Sequence, residues 1–344
     1  MAVANDSSKQ AGGLRRRLQV IPFLEIALVA IFVALPMLLD HFWVVFVTRV
    51  LILALLGLSF DLVWGYSGIL SFGQALFFGA AAYAVALLGR DLDISSIFLA
   101  LPVAAIVGFA LALFMAWFLL LGRTPPSIIF VALGTLTGSY AAERLARGWY
   151  YLGGQNGIPS IPAMTVGDFV MYEGVGFYYL ALGILIVVYL LCRLMVRSQF
   201  GLVLAGIREQ EERLTFFGYR VQHFKAVVFS ISGAIAGLAG GLYAFHEGFV
   251  WPNLMGVILS TQVVLYVLFG GVGTLIGAVI GVAAIEYASF ELADRYPEFW
   301  PIVLGVLLLL VILFRPTGLV GLFVSDRERV GSFGAKRGKD DDAA

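Results

Sequence analysis

Ionisable side chains are scarce in the long apolar segments of this sequence, and the few present lie near segment ends. The candidates for proton chemistry are Asp61, Glu143, Arg144 and Glu286. A proton-coupled pump needs carboxylates, histidines or lysines in the middle of its membrane spans. Positions near the ends instead favour snorkelling of the side chain or pairing with a local partner. The sequence therefore does not predict a proton relay.

Metal, haem and nucleotide sites also lack their usual residues. Three histidines and one cysteine supply too few ligands for a zinc or iron–sulfur site, and a single cysteine excludes an internal disulfide. His41, His223 and His246 fall at the ends of apolar segments, which disfavours a haem held between spans. The pair Gly338-Lys339 is followed by aspartate and lacks the P-loop spacing. We predict no metal or cofactor site in this chain, so any ATP must bind to another chain.

Composition indicates which solvent surrounds the chain. Hydrophobic residues make up 61% of the 344 residues and charged residues 13%, against roughly 25% charged residues in soluble domains. So few charges could not cover the surface of a soluble protein of this size. The net charge of zero also argues against nucleic-acid binding. The chain is therefore expected to lie in a lipid bilayer.

Apolar runs of about 20 residues, long enough to cross the hydrocarbon layer, define the predicted helices. Seven such runs lie near residues 21–39, 43–64, 67–88, 96–121, 126–147, 177–196 and 225–246. The stretch 257–290 is interrupted by Gly270-Gly271-Val272-Gly273, which predicts two short helices, or a re-entrant pair, before a last span at 301–314. We predict an all-α polytopic membrane protein of about ten transmembrane or re-entrant helices, with Gly-rich packing and broken helices.

Basic residues set the predicted orientation, because cytoplasmic loops retain Lys and Arg. With residues 15–17 inside, 17 basic residues fall on the inner side and Arg49 falls within an outer membrane half. The outer side holds four: Arg90, Arg144, Arg147 and Arg295. We expect cytoplasmic tails at 1–20 and 322–344 and a membrane domain at 21–321, with a cytoplasmic loop at 197–224.

Glycines four residues apart form two ladders in the predicted spans. The ladders are Gly233, Gly237 and Gly241, and Gly273, Gly277 and Gly281. Stripes of small residues let helices approach closely. Packing inside one subunit is the simpler interpretation, and a subunit interface is the alternative.

Residues 64–74 combine glycine, serine and glutamine without a ladder, which indicates a broken helix. Irregular backbone within a membrane is tolerated only where protein or a water-filled cavity satisfies its polar groups. Ser67, Ser71 and Gln74 are therefore candidates to line a translocation pathway. The alternative is a helix-entry turn whose polar side chains bond neighbouring helices.

The cytoplasmic loop is predicted to contain a short helix. Leu204, Ile207, Glu211 and Leu214 share one face, Glu209 and Arg213 have the spacing of an ion pair, and Gly218 can end the helix. A short mixed-charge helix that ends in Phe216-Phe217 suits docking in a groove on a soluble partner. A solvated connector on the membrane surface is the alternative.

Five segments, in order along residues 50–321, resemble the permeases of bacterial ABC importers for branched-chain amino acids and urea. The loop motif SQFGLVLAGIRE at 198–209 is joined by GYSGILSFGQALFFG at 65–79, with Gln74 where many members carry histidine. GGQNGI at 153–158, GGVGTLIG at 270–277 and RPTGLVG at 315–321 complete the pattern. The chain resembles the larger, M-type permease.

The resemblance implies a heteromeric importer in the bacterial inner membrane, with both termini of this multi-pass chain cytoplasmic. Its partners would be a second homologous permease, two ATPase subunits that bind ATP and Mg²⁺, and a periplasmic substrate-binding protein. This chain would not itself be an enzyme. Coupling to the ATPase is implied for Leu204, Ile207, Arg208, Glu209, Glu211, Glu212, Arg213 and Gly218. Docking of the binding protein is implied for Gly154, Gln155, Asn156 and Gly157.

The solute stays open between branched-chain (hydrophobic) amino acids and urea or short amides, because TFFGY at 215–219 resembles the urea branch. Either solute is expected to need hydrogen bonds in the pathway more than a fixed counter-ion. Two alternatives come from other classes: a stand-alone secondary transporter and a structural subunit of a membrane complex. The lack of mid-span ionisable groups argues against the first, and the ordered motifs argue against the second.

Overall fold

The computed structural model describes residues 20–122 and 127–295, with isolated positions 302, 303, 305, 306, 309 and 318. The described α-helices are α1 (Val20–Leu38), α2 (His41–Ser67), α3 (Gln74–Leu92), α4 (Ile97–Leu119), α5 (Ile128–Gly148), α6 (Val175–Arg197), α7 (Gln199–Phe216), α8 (Val221–Glu247), α9 (Val257–Gly270) and α10 (Ile276–Arg295). The predicted tails 1–20 and 322–344, apart from Val20, and most of the predicted span 301–314 lie outside the described residues.

Helix dominates the described residues, as the sequence predicted. Five of the helices in the described residues, α2, α3, α4, α6 and α8, are long and apolar enough to cross a membrane, and α1 and α9 contain shorter apolar stretches. The two short strands β1 (Met164–Val166) and β2 (Phe169–Met171) form an antiparallel hairpin with Met164 opposite Met171. The prediction of an all-α polytopic membrane protein is confirmed.

Helix α8 lies at the centre of the fold and packs along α4, α3 and α2. Its ladder of small residues meets a second one on α4: Gly233 lies against Ala112, and Gly237 against Gly108. A Cβ atom at Gly237 would lie 2.9 Å from the Gly108 Cα, inside van der Waals contact. The two backbones therefore touch along a surface that no larger side chain can enter.

Helices α9 and α10 form a hairpin around a glycine turn. The turn holds left-handed backbone at Gly271, Gly273 and Leu275, and α10 begins only at Ile276. The predicted ladder was therefore wrong in placing Gly273 on a helix, because φ +76 at this residue is incompatible with helical backbone. Gly277 and Gly281 do lie on α10, where both pack against the backbone of Gly270 on α9.

Candidate functional site

The chain between α2 and α3 turns back into the helix bundle. Gly68 ends α2 in the left-handed conformation, and its N–H donates to the Trp64 carbonyl at 3.2 Å. Gln74, the first residue of α3, bonds to Ser59, which lies eight residues before the end of α2. At 1.5 Å per residue this is about 12 Å from the helix end. Residues 68–73 are therefore irregular backbone inside the bundle.

Hydroxyl side chains from two other helices satisfy this irregular segment at Phe72. The Phe72 N–H donates to Thr135 Oγ1 at 3.0 Å, and the Phe72 carbonyl accepts from Ser139 Oγ at 3.0 Å and from Ser260 Oγ at 2.7 Å. Thr135 and Ser139 lie on α5, and Ser260 lies on α9. A break away from water needs such partners for its backbone groups.

The three residues predicted for the pathway are buried in this conformation, and their polar atoms bond within the chain. Gln74 Oε1 accepts from Ser59 at 3.2 Å and its Nε2 donates to Ser232 at 3.3 Å, so the amide joins α2 to α8. Ser71 Oγ accepts from the Gly73 N–H. Ser67 Oγ donates to a carbonyl of its own helix. These bonds position the break, and contact with a solute stays a prediction.

Helix α7 in the cytoplasmic loop is kinked. Gln210 has φ −153 and ψ 81, so the helical spacing is interrupted there. Gly201, Leu204 and Ile207 are buried before the kink. After the kink, the Leu214 side chain packs against Gly206. A Cβ added at Gly206 would lie 3.0 Å from this leucine side chain.

The predicted pairings on α7 change because of the kink. Glu209 and Arg213 do not form an ion pair in the described part of the chain, since their i,i+4 spacing spans the non-helical residue. The prediction of a continuous face through Glu211 was wrong for the same reason. Glu211 instead accepts from Lys225 Nζ on α8 at 2.6 Å.

The far end of α7 presents aromatic side chains to solvent. Phe216 is 89% exposed and Phe217 is 78% exposed. Glu209, Glu212 and Arg213 are also exposed beside them. Gly218 has φ +84, and its N–H donates to the Thr215 carbonyl at 3.0 Å, which ends the helix. The loop thus ends in an apolar surface rimmed by charges of both signs.

Asp61 on α2 holds the turn between α9 and α10. Its side chain is fully buried, and its two oxygens accept from the backbone N–H groups of Gly273 at 2.6 Å and Leu275 at 2.9 Å. Gly65 is needed beside it, because a Cβ there would lie 2.7 Å from the Gly273 nitrogen. Of the two outcomes expected for this carboxylate, local pairing is correct and snorkelling is not.

Arg208 connects α7 to the same place. Its guanidinium donates to the carbonyl oxygen of Gly65 on the last turn of α2. Gly68, which ends that helix, also lies against the Arg208 side chain, with a Cβ 3.4 Å from its Cγ. The loop helix, the end of α2 and the glycine turn are therefore in contact through charged side chains and backbone.

A polar cavity of about 430 Å³ lies at the opposite end of α2, α8 and α10. Arg49, Glu247 and Glu286 line it, and the Arg49 Nε lies 3.7 Å from Glu247 Oε1. Glu286 also accepts a hydrogen bond from the Tyr266 hydroxyl. This end therefore carries fixed charges, although the sequence led us to expect a pathway with few of them.

The segment implied in binding-protein docking forms a tight 3-10 turn, Gly154–Asn156, between positive-φ glycines. Gln155 and Asn156 are exposed, and Gly157 is buried against the Val250 carbonyl. Ile158 and Val250 exchange backbone hydrogen bonds of 2.8 and 3.1 Å. The turn is thus fixed to the chain that follows α8. Nearby, the hydroxyl of Tyr151 donates to Asp91, which raises the pKa of that tyrosine.

Sequence reasoning did not pair Arg49 with Glu247 or Asp61 with the glycine turn. Each pair joins residues that are far apart in the chain. One signal was available for the first pair, because Arg49 lies in the outer half of one predicted span and Glu247 directly follows the outer end of another. No comparable signal pointed from Asp61 to backbone groups in a turn.

Comparison with known proteins agrees with this architecture. The family model described as branched-chain amino acid transport system / permease component matches residues 43–312. This range runs from the start of α2 past the end of α10 and includes the cytoplasmic loop, the helix break and the glycine turn. No solved structure matches the chain.

Similar proteins carry related descriptions. The high-affinity branched-chain amino acid transport system permease protein LivM of Salmonella typhimurium is 30% identical, over 86% of this chain and 73% of its own length. The probable branched-chain amino acid transport permease protein LivM of Methanocaldococcus jannaschii is 27% identical, over 77% and 89%. The autoinducer 2 import system permease protein LsrC of Salmonella typhi is 26% identical, over 61% and 58%. With its apolar helices and the match to the family model, the chain belongs to the permease family of branched-chain amino acid transport systems.

Proposed function

We propose that this chain is the M-type permease subunit of an ATP-driven importer that moves branched-chain or other hydrophobic amino acids by alternating access. Family membership supports a permease within a complex of several subunits. Coupling between ATPase subunits and the membrane helices is supported by one observation: α7 contacts the end of α2, where the helix break begins. An exposed aromatic end at Phe216 and Phe217 is joined, through the same helix, to Arg208 and the carbonyl of Gly65.

The proposed assembly contains a second homologous permease, two ATPase subunits and a periplasmic substrate-binding protein. ATP and Mg²⁺ bind to the ATPase subunits, and this chain is not an enzyme. It lies in the bacterial inner membrane with both termini in the cytoplasm. In that orientation α7 faces the ATPases, and the turn Gly154–Asn156 faces the binding protein.

The proposed mechanism follows the contacts of α7. Closure of the ATPase pair displaces the aromatic end of the helix, and Arg208 carries the displacement to the last turn of α2. Asp61, one turn earlier on α2, then carries it to Gly273 and Leu275 in the hairpin turn. Movement of α2 and α9 changes the packing around residues 68–73, which opens one side of the membrane and closes the other.

The test is uptake by proteoliposomes that contain the complex with internal ATP. The double variant Phe216→Ala, Phe217→Ala should lose most ATP-dependent leucine uptake and retain less ATPase subunit on purification. Phe169→Ala is the matched control, since this aromatic is 68% exposed on the β hairpin, away from α7. Wild-type uptake by the double variant would refute coupling through this helix.

The same vesicles separate the remaining alternatives. Competition by urea and short amides tests the solute class suggested by residues 215–219. Uptake by this chain alone, driven by an ion gradient without ATP, would instead identify a secondary transporter. Copurification with redox partners and no solute uptake would identify a structural subunit.

A further inference from the structure

The charged cavity beside Arg49 has the chemistry of a site for a zwitterion. Its wall brings together one guanidinium and the carboxylates of Glu173, Glu247 and Glu286, with an apolar side formed by Phe46 and other aromatic residues. Its volume of about 430 Å³ lies within the range of roughly 300–1,000 Å³ found for small-molecule sites. The cavity therefore has both charge signs and an apolar wall in a space of suitable size.

The ion pair in the cavity is loosely made. The Arg49 Nε lies 3.7 Å from Glu247 Oε1, beyond the 2.7–2.9 Å of a charge-assisted hydrogen bond. The side chains are 44% and 27% exposed, respectively, so both are accessible. A guanidinium presents five donors in a planar fork that matches a carboxylate. This single long contact leaves room for a ligand carboxylate on Arg49.

Negative charge is in excess in the cavity. Three carboxylates share the one cation Arg49 in this wall: within the described residues Arg49 makes its ion pair with Glu247, and Glu286 also lies close enough to act on its charge. Glu286 is buried and has the Tyr266 hydroxyl as a donor. Buried carboxylates are stabilised by a positive partner. An ammonium group between Glu247 and Glu286 would supply one.

His246 lies in the same wall. It is buried and lines the cavity, and the backbone of Val45 lies close to its imidazole. The ring therefore adds a polar side chain to the wall beside the charged residues.

The aromatic wall accounts for the rest of a hydrophobic amino acid. Phe42, Phe46 and Phe290 line the cavity, and the rings of Phe46 and Phe290 lie 5.1 Å apart. These rings come from α2 and α10, the same helices that supply Arg49 and Glu286. An aliphatic side chain held by its charged head at Arg49 and Glu286 would pack on them.

The cavity also lies close to the Gly154–Asn156 turn, the segment proposed to face the binding protein. Glu247 is the last residue of α8, and Val250, three residues later, bonds to Ile158 beside the Gly154–Asn156 turn. A solute released at that turn would therefore meet this cavity early in its passage.

We propose that this cavity is a transit site for the zwitterionic head of a hydrophobic α-amino acid, with the carboxylate on Arg49, the ammonium between Glu247 and Glu286, and the side chain on the aromatic wall. This site deepens the proposed function and rests on it. It also favours an amino acid over urea, because urea has no charge to pair with either sign.

The test measures equilibrium binding to the full-length chain in nanodiscs without a binding protein. Three ligands of similar size serve as probes: leucine, 4-methylpentanoate, which has only the carboxylate, and 3-methylbutylamine, which has only the ammonium. Leucine should bind at least about tenfold more tightly than either analogue. If 3-methylbutylamine binds as tightly as leucine, the cavity is a simple cation site. If 4-methylpentanoate binds as tightly as leucine, it is a simple anion site. Either result overturns the proposal.

Variants locate the binding in this cavity. Arg49→Gln and Glu286→Gln should each weaken leucine binding about tenfold or more, and Arg49→Lys should retain part of it. Arg90→Gln is the matched control, because Arg90 pairs with Asp91 at the end of α3 and should leave binding unchanged. If Arg49→Gln does not fold, the Glu286→Gln variant and the three ligands on the natural chain still test whether leucine binds in this cavity.

A measurement of ATP-dependent leucine uptake distinguishes an error in the transit site from an error in the proposed function. Intact ATP-dependent leucine uptake together with unchanged leucine binding by both cavity variants would overturn the transit site alone. Absence of ATP-dependent uptake by the natural complex would overturn the proposed function itself.

Discussion

Asp61 and Gly273 are 212 positions apart in the chain, yet an Asp61 carboxylate oxygen accepts the Gly273 N–H at 2.6 Å. Its other oxygen accepts the Leu275 N–H. One fully buried side chain thus fixes the turn before α10 to α2, one helical turn before Gly65, which contacts α7. The relationship gives a carboxylate inside the bundle a clear structural purpose without any proton transfer.

Replacing Asp61 by asparagine should destabilise the chain. The amide places an NH2 donor where one of the two carboxylate oxygens accepts, so one backbone N–H faces a donor and loses its partner, at about 1–3 kcal/mol. The melting temperature in detergent should fall, and ATP-dependent uptake should fall further because the turn is no longer held. Asp91→Asn, at a solvent-exposed ion pair, is the control and should leave the melting temperature nearly unchanged. Equal effects of both changes would contradict this role of Asp61.

Gly237→Ala should separate α4 from α8. The added methyl would lie 2.9 Å from the Gly108 Cα and would force the two backbones apart, which costs about 1–3 kcal/mol in a close-packed interior. Gly183→Ala is the control, since nothing lies within 4 Å of a Cβ at this position on α6. The control should be neutral or slightly stabilising, because alanine favours helix by up to about 1 kcal/mol over glycine. Thermal unfolding of both variants measures the difference, and a stable Gly237→Ala chain would refute the close contact.

Neighbouring glutamates on α7 provide a test of how the loop is attached. Glu211→Gln removes the charge that holds Lys225 at 2.6 Å, so the end of α7 should detach from α8 and coupled uptake should fall several-fold. Glu212→Gln changes an exposed residue next to it and should leave attachment to α8 intact. Uptake per ATP hydrolysed in proteoliposomes compares the two. The exchanged pair Glu211→Lys, Lys225→Glu should recover part of the loss if the ion pair itself matters.

Exposed residues of the 3-10 turn should affect the binding protein and not the fold. Gln155→Ala together with Asn156→Ala removes exposed side chains, so the melting temperature should stay close to that of the natural chain. The concentration of loaded binding protein needed for half-maximal ATPase stimulation should rise several-fold, with the maximal rate unchanged. Asp168→Asn, at the turn of the nearby β hairpin, serves as a control on the same side. A changed maximal rate with unchanged half-saturation would argue against docking at this turn.

The general architecture could be predicted because apolar length and small-residue spacing are local properties. The helices, the break after residue 67 and the glycine turn all follow from such patterns. The kink at Gln210 could not be predicted, since neither proline nor glycine marks it and the flanking residues favour helix. Gly273 was placed on a helix because a four-residue repeat does not reveal a positive φ.

Charge pairs between residues far apart in the chain could not be predicted from the sequence either. Arg49 and Glu247 lie on different helices, and their pairing depends on how α2 and α8 rotate about their axes. Hydrophobic periodicity does not fix that rotation for helices that are apolar on nearly every side. The candidate cavity could therefore be found only from the fold, whereas the loop helix could be found from its sequence motif.

The hydroxyl groups that hold Phe72 also determine how easily this segment can move. Thr135 already donates to the Val131 carbonyl of its own helix at 2.9 Å. On α8, the Ser230 hydroxyl likewise donates to the Ala226 carbonyl four residues earlier. Serine hydroxyls released by Phe72 can rotate to a carbonyl one turn back in their own helices. Displacement of residues 68–73 then leaves few donors on α5 and α9 without an acceptor, and the groups that need new partners are the backbone N–H and C=O of Phe72.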